Sequence, residues 1–134
     1  NVPAQWEPVY ALKEQVHIPV LGNGGITSIE DGLKKMNTLD GFLIGQATFG
    51  NPWIFGSTHP KTFQEKASLI KKHTQWLIES KGETVGTREI RKHLLAYVKG
   101  FPFSKAYRSK LARVSNQQDI LHLIDEICTL PEAN

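Results

Sequence analysis

Two short apolar runs, each closed by a glycine turn, constrain this chain more than any other feature. The first is Ile18-Pro-Val-Leu-Gly-Asn-Gly-Gly-Ile-Thr-Ser28, and the second begins at Gly41-Phe-Leu-Ile-Gly45. Ile18–Leu21 and Phe42–Ile44 are too short and too apolar for surface helices, so they predict strands (18–22 and 41–45) buried on both faces, as in a parallel sheet. Gly22, Gly24 and Gly25 allow close backbone approach to a ligand, and Gly45 closes the second strand in the same way. Ser28 is placed to cap a helix over 28–37, with Glu30 and Asp31 in its first turn and Leu33 and Met36 packing on the sheet. Two such βα turns in succession can build a phosphate site from backbone N–H groups and a helix N-terminus. The pattern alone leaves a phosphate cradle and a plain βα turn both open.

Upstream, Trp6, Val9, Tyr10, Leu12 and Val16 mark a helix over 4–16. Downstream, Phe49, Pro52, Trp53 and Phe55 crowd into an aromatic segment that reads as a short packing helix, the alternative being a ring stacked on an aromatic ligand or a base. Gly56 to Pro60 reads as a linker, which divides the chain into 1–56 and 57–134. No strand signal follows. Helical spacing predicts one helix over about 60–81 and a second from Gly86 or Thr87 to Gly100. A third is capped by Ser104, and a fourth by a Ser115/Gln118 box. Cys128 lies on the apolar stripe of the last helix and reads as a small core residue, not a catalytic thiol.

The formal net charge of +3 conceals a segregation. Residues 60–113 hold thirteen Lys and Arg against four Glu, whereas 1–59 and 114–134 are both net acidic. At about 100° per residue, Arg88, Arg91, Lys92 and Lys99 share one arc, beside an apolar arc of Ile90, Leu94, Tyr97, Val98 and Phe101. A solvated face is the plain alternative, but ordinary surface helices mix signs and this arc hardly does, which favours a polyanion partner. No apolar run approaches a membrane span, and no metal-ligand cluster is visible. The lone cysteine excludes an internal disulfide and suits a reducing cytoplasm.

The runs Ile18 to Ile26 and Asp40-Gly-Phe-Leu-Ile-Gly-Gln-Ala-Thr-Phe-Gly-Asn-Pro-Trp-Ile-Phe55 resemble the last two barrel strands of tRNA-dihydrouridine synthases. Arg91-Lys-His93, Tyr97, Lys99-Gly-Phe-Pro102, Lys105 and Arg108 resemble that family's C-terminal helical domain. The resemblance implies an α/β plus all-α chain: the C-terminal end of an FMN-binding TIM barrel (1–56), followed by a four-helix tRNA-binding domain (57–134). A complete barrel takes about 250 residues, so the 134 residues, without an initiator Met, read as a fragment, though a processed chain would look the same. Unpaired sheet edges would make such a barrel piece prone to self-association.

The resemblance further implies FMN as cofactor, NADPH as reductant and a tRNA uridine as substrate. It carries over Asn23, Gly24, Gly25, Gly45 and Gln46 as FMN-phosphate residues. It carries over Arg88, Arg91, Lys92, His93, Lys99, Lys105 and Arg108 as the RNA-binding face, with Tyr97 and Leu111 structural. The family's catalytic cysteine is expected upstream of this chain, so the fragment alone is expected to be inactive. Two departures stand out: Gly25 replaces a common Asp, and Gln46 replaces a common Arg, which removes a positive charge from the phosphate loops. The alternatives are another FMN-dependent TIM-barrel oxidoreductase, such as a dihydroorotate-dehydrogenase-like enzyme, and a non-catalytic RNA-binding helical module.

Overall fold

In the computed structural model, which describes residues 3–131, Trp6 anchors the first of two units, Asn1–Ser57 and Thr58–Asn134. Trp6 is the N-cap of α1 (Glu7–Gln15), a helix with no buried residue of its own. The indole packs with Ile26 and Leu39, and Val9, Tyr10, Val20, Met36, Phe42 and Ile44 close around them. Its N–H donates to the Gly24 carbonyl at 3.2 Å. Tyr10 extends the contact by donating its hydroxyl to the Lys35 carbonyl at 2.7 Å.

Two strands, β1 (Leu21–Asn23) and β2 (Gly41–Leu43), pair in parallel with Gly22 opposite Phe42. Between them runs α2 (Ile29–Met36), capped by the Ser28 hydroxyl, which accepts the Asp31 N–H at 3.1 Å. Both strands are shorter than the sequence predicts, for identifiable reasons. Pro19 has no N–H to give a ladder, and the Val20 N–H is taken by the Asp40 carboxylate at 2.7 Å. At the other end Gly24, at φ 128°, turns the chain out of the sheet.

The expectation of strands buried on both faces is also corrected. The face bearing Gly22 and Phe42 is covered, and so closely that a Cβ on Gly22 would lie 2.1 Å from Trp6, and one on Gly32 of α2 would lie 2.2 Å from Phe42. The opposite face is open among the described residues: Leu21 and Leu43 are 54% and 50% exposed. Leu33, expected on the sheet, is exposed because Gly32 takes the contact position of α2 instead. The aromatic segment forms two 3₁₀ turns, Gln46–Thr48 and Pro52–Phe55. Ile54 is its buried residue, while Phe49 and Phe55 are exposed rather than crowded inward.

The second unit contains four helices among its described residues. The first, α3 (Phe63–Lys81), starts at a capping box rather than at residue 60. Thr62 Oγ1 accepts the Glu65 N–H at 3.2 Å, and the Glu65 carboxylate accepts the N–H groups of Thr62 and Lys61. Both reciprocal bonds satisfy donors that a helix start leaves orphaned.

Gly82, at φ 78°, ends α3 and directly begins α4 (Glu83–Tyr97). The sequence predicts that start at Gly86 or Thr87. The actual role of Gly86 is close approach: a Cβ there would lie 2.8 Å from Ile78 Cα on α3. α4 stops at Tyr97, three residues before Gly100, whose φ of 91° redirects the chain. Lys99 therefore lies beyond the helix and not on its arc.

α5 (Ser104–Leu111) has Phe103 as N-cap with no side-chain hydrogen bond, so Ser104 is its first residue and not its cap. The start is held instead by packing: Phe103 stacks on Phe101 and meets Phe63 edge-on at 5.3 Å. The cap of α6 (Gln117–Cys128) lies one residue later than expected, at Asn116, with Asp119 as the reciprocal acid in place of Gln118. Asn116 accepts the Asp119 N–H at 2.8 Å, and the Asp119 carboxylate binds the N–H and hydroxyl of Ser115. Ile70, Ile90, Leu111, Ile120, Ile124 and Ile127 form the buried centre where these helices meet. Cys128 is half-buried, and burial pushes its thiol above the ordinary value.

Candidate functional site

The parallel register brings the C-terminal ends of β1 and β2 side by side, and with them the two glycine turns. Asn23, Gly24, Gly25, Gly45 and Gln46 all line one cleft of about 860 Å³, together with Ala4, Ile26, Thr27 and Ala47. Gly24 and Gly25 adopt φ values of 128° and 61°, which L side chains rarely adopt. Their carbonyls are held from outside the cleft lining, that of Gly24 by the Trp6 indole and that of Gly25 by Lys35 Nζ at 2.9 Å. In a trans peptide the next N–H points opposite to the carbonyl. The N–H groups of Gly25 and Ile26 are thus turned away from those two donors. On the second turn, Thr48 returns its N–H and hydroxyl to the Gly45 carbonyl at 3.0 and 2.7 Å. A Cβ on Gly45 would meet nothing within 4 Å.

The electrostatics differ from a simple helix-terminus anion site. The Asp31 carboxylate already accepts the Thr27 N–H at 2.9 Å, and Ser28 takes that of Asp31. The start of α2 is therefore partly filled by the chain's own oxygens. Lys35 bonds Asp31 at 2.9 Å and, with the Thr27 N–H, holds its carboxyl below the ordinary carboxylate range. Among the described residues the cleft lining carries no Lys or Arg, so its donors there are neutral amides and the Thr27 hydroxyl. Lys35 has no place in the sequence reading of this site. Its spacing of four from Asp31 is a legible signal, but the bond to Gly25 depends on how the turn folds.

On the helical unit, Arg88 and Lys92 are exposed on α4, and Lys99, Lys105 and Arg108 are exposed beyond it. Glu89, between Arg88 and Lys92, is drawn to Lys81 at 2.6 Å. Arg108 Nη1 also reaches the Leu95 carbonyl, at 3.5 Å, and two further residues of the expected face are built into the fold. Arg91 donates Nε and Nη2 to the Val114 carbonyl at 3.0 and 2.7 Å, tying α4 to the turn before α6. His93 is half-buried with its ring 4.8 Å from that of His73, whose Nδ1 lies 3.2 Å from the Tyr97 hydroxyl. Burial pushes both imidazoles below their ordinary value and the Tyr97 phenol above its own. Tyr97 and Leu111 are buried.

Among the described residues no group of three His, Cys, Asp or Glu could hold a metal ion. No described helix is long and apolar enough to cross a membrane.

The sequence model of the dihydrouridine synthase family matches residues 1–133. A probable tRNA-dihydrouridine synthase of Mycobacterium tuberculosis is 38% identical over 92% of this chain, which covers 35% of that protein. Its counterpart in Mycobacterium leprae is 35% identical over 97% of the chain and 38% of that protein. A probable tRNA-dihydrouridine synthase of Rickettsia conorii is 29% identical over 94% of the chain and 42% of that protein. The chain thus spans well under half the length of these curated relatives.

Proposed function

Because the chain belongs to the dihydrouridine synthase family, we propose that it is the C-terminal portion of a cytoplasmic tRNA-dihydrouridine synthase, an oxidoreductase that reduces a tRNA uridine. In this reading the unit Asn1–Ser57 is the phosphate-holding end of the barrel and the helical unit grips the tRNA. The observation that carries the reading is the convergence of Asn23, Gly24, Gly25, Gly45 and Gln46 on one cleft at the ends of two parallel strands.

The cleft fits the phosphate of FMN. Its turn glycines keep side chains out of the approach, and the N–H groups of Gly25 and Ile26 are turned away from the donors that hold the carbonyls. Asn23 and Gln46 add side-chain amides. When bound, FMN would supply hydride chemistry, with NADPH as reductant and the uracil ring as acceptor. This chain's residues hold the phosphate with neutral donors and rely on Lys35 to fix the turn. We assign no proton transfer to Cys128, because α6 is acidic and apolar and burial disfavours the thiolate. Arg88, Lys92, Lys99, Lys105 and Arg108 supply phosphate contacts that position the tRNA without reading its sequence. A uracil stacked within folded RNA must be extruded to be reduced.

The test is a titration of the chain with FMN, followed by flavin fluorescence. Gly45→Ala should keep the fold, because its methyl meets no protein atom within 4 Å, and it serves as the uncharged control for added volume in the cleft. Gly45→Asp places a carboxylate in the cleft and should weaken binding by about tenfold or more, the effect of one repelling charge at short range. Equal binding by wild type and Gly45→Asp would remove this cleft from consideration.

A further inference from the structure

Outside the cleft and the α4 face, the helical unit carries a second concavity, a groove of about 380 Å³ between α5 and α6. Val114, buried, and Leu123, half-buried, give it apolar surface. Arg113, Gln118 and His122, all exposed, supply a guanidinium, an amide and an imidazole around it.

Its acids are already engaged. Asp119 caps α6 through Ser115 and Asn116. Glu126 accepts the Tyr107 hydroxyl at 2.9 Å and Lys110 at 3.1 Å. Lys110 is likewise committed, to Glu126 and to the Tyr107 ring at 4.8 Å. The Arg113 backbone N–H donates to the Lys110 carbonyl at 3.0 Å, but the Arg113 guanidinium has no ion pair or hydrogen bond among the described residues. The groove therefore combines a small apolar surface, mainly that of Leu123, with hydrogen-bonding edges and one uncommitted guanidinium.

We infer that this groove binds a single unpaired nucleotide of RNA, with the base against Leu123 and its phosphate on Arg113. This rests on the reading of the helical unit as RNA-binding. The volume lies within the range of small-ligand pockets. The Gln118 amide and the His122 ring can each donate and accept hydrogen bonds, as a base edge requires. A paired nucleotide is excluded, because its base is stacked inside the helix and its edges are occupied.

The groove is distinct in chemistry from the α4 face. There, separate charges contact a backbone; here, one charge sits beside apolar surface. A nucleotide held here, other than the one being reduced, would distinguish RNAs by where they leave a base unpaired.

The experiment compares two RNAs bound to the full chain: a fully paired hairpin stem, and the same stem carrying unpaired uridines. Arg113→Ala with Gln118→Ala removes exposed side chains and should preserve the fold, checked by circular dichroism. We expect this pair to weaken binding of the RNA with unpaired uridines about tenfold, the worth of one charged hydrogen bond, and to leave the paired stem unchanged. Leu123→Ser should act in the same selective direction with little change in salt dependence. Arg88→Glu with Lys92→Glu should weaken both RNAs alike.

If the Arg88/Lys92 variant weakens binding and the Arg113/Gln118 variant does not, the groove inference fails and the RNA-binding reading stands. Equal losses on both RNAs from Arg113/Gln118 would make the groove a simple phosphate contact and would also overturn it. If the wild type binds neither RNA, both readings fall.

Discussion

Half-buried histidines are the residues whose chemistry the fold changes most. His73 on α3 and His93 on α4 touch each other, and both are pushed below the ordinary value of 6.5. Burial is the first cause for each; for His93 the His73 charge and Lys92 add to it, opposed by Glu89. Tyr97 is the further titratable group at His73. With folded values depressed, the unfolded chain binds protons first as pH falls, so stability rises with pH. The stabilising share is present above 6.5 and is lost as pH falls through the folded values. We predict that hydrogen-exchange protection of the α3 and α4 amides falls between about pH 7 and pH 5, before ordinary carboxylates titrate. His73→Gln, which keeps a polar partner for Tyr97, should flatten that profile. An unchanged profile would mean the pair does not couple to folding. Arg91 shows the opposite case: a charged residue whose position on a basic arc says binding, and whose bonds to Val114 say structure.

Among the elements, the α3–α4 hairpin depends on two glycines with different roles. Gly82 supplies the positive φ of the reversal, and Gly86 supplies absence of volume. Alanine is the better helix former by about 1 kcal/mol, so propensity alone says Gly86→Ala stabilises α4. Packing says otherwise, because the new methyl would meet Ile78 and Leu77 backbone atoms at 2.8–2.9 Å, and backbone cannot rotate away. Overpacking costs about 1–3 kcal/mol, so we predict a lower thermal midpoint for Gly86→Ala. A raised midpoint would show that the helices tolerate separation at no cost.

At the scale of the whole molecule, charge divides the labour. The basic residues left uncommitted by the fold are concentrated on the helical unit, while the cleft of the other unit is lined by neutral groups. We predict that tRNA binding by the chain weakens steeply with salt, with a log–log slope of about −0.7 to −0.9 per phosphate contact. Arg88→Glu with Lys92→Glu should weaken binding and make the slope shallower by roughly two contacts' worth. Exposed Lys34→Glu, on α2, should change little. Fluorescence anisotropy of labelled tRNA at several salt concentrations measures all three. Unchanged affinity and slope in the double reversal would make the arc a solvated face. Arg91→Ala belongs to a different assay, because losing the Val114 bonds should lower thermal stability first.

Local chemistry was enough to read much of this protein. The two apolar runs marked two strands, their glycine turns marked the cleft, and helical spacing marked four helices after residue 60. These signals are local because turn geometry, caps and periodicity depend on residues a few positions apart. What only the tertiary structure decided lies in long-range pairings. The Val20 N–H bonded Asp40 and shortened a strand. Gly86 became a helix contact rather than a helix start, because Ile78 folds back on it. Asn116 capped α6 while its neighbour Ser115 served Asp119. Arg91 turned inward to a carbonyl 23 residues away, and Arg113 was left beside a groove that exists only once α5 and α6 pack. The side chain of a basic residue bonds whatever acceptor the folded chain brings near it, and sequence distance does not say which acceptor that will be.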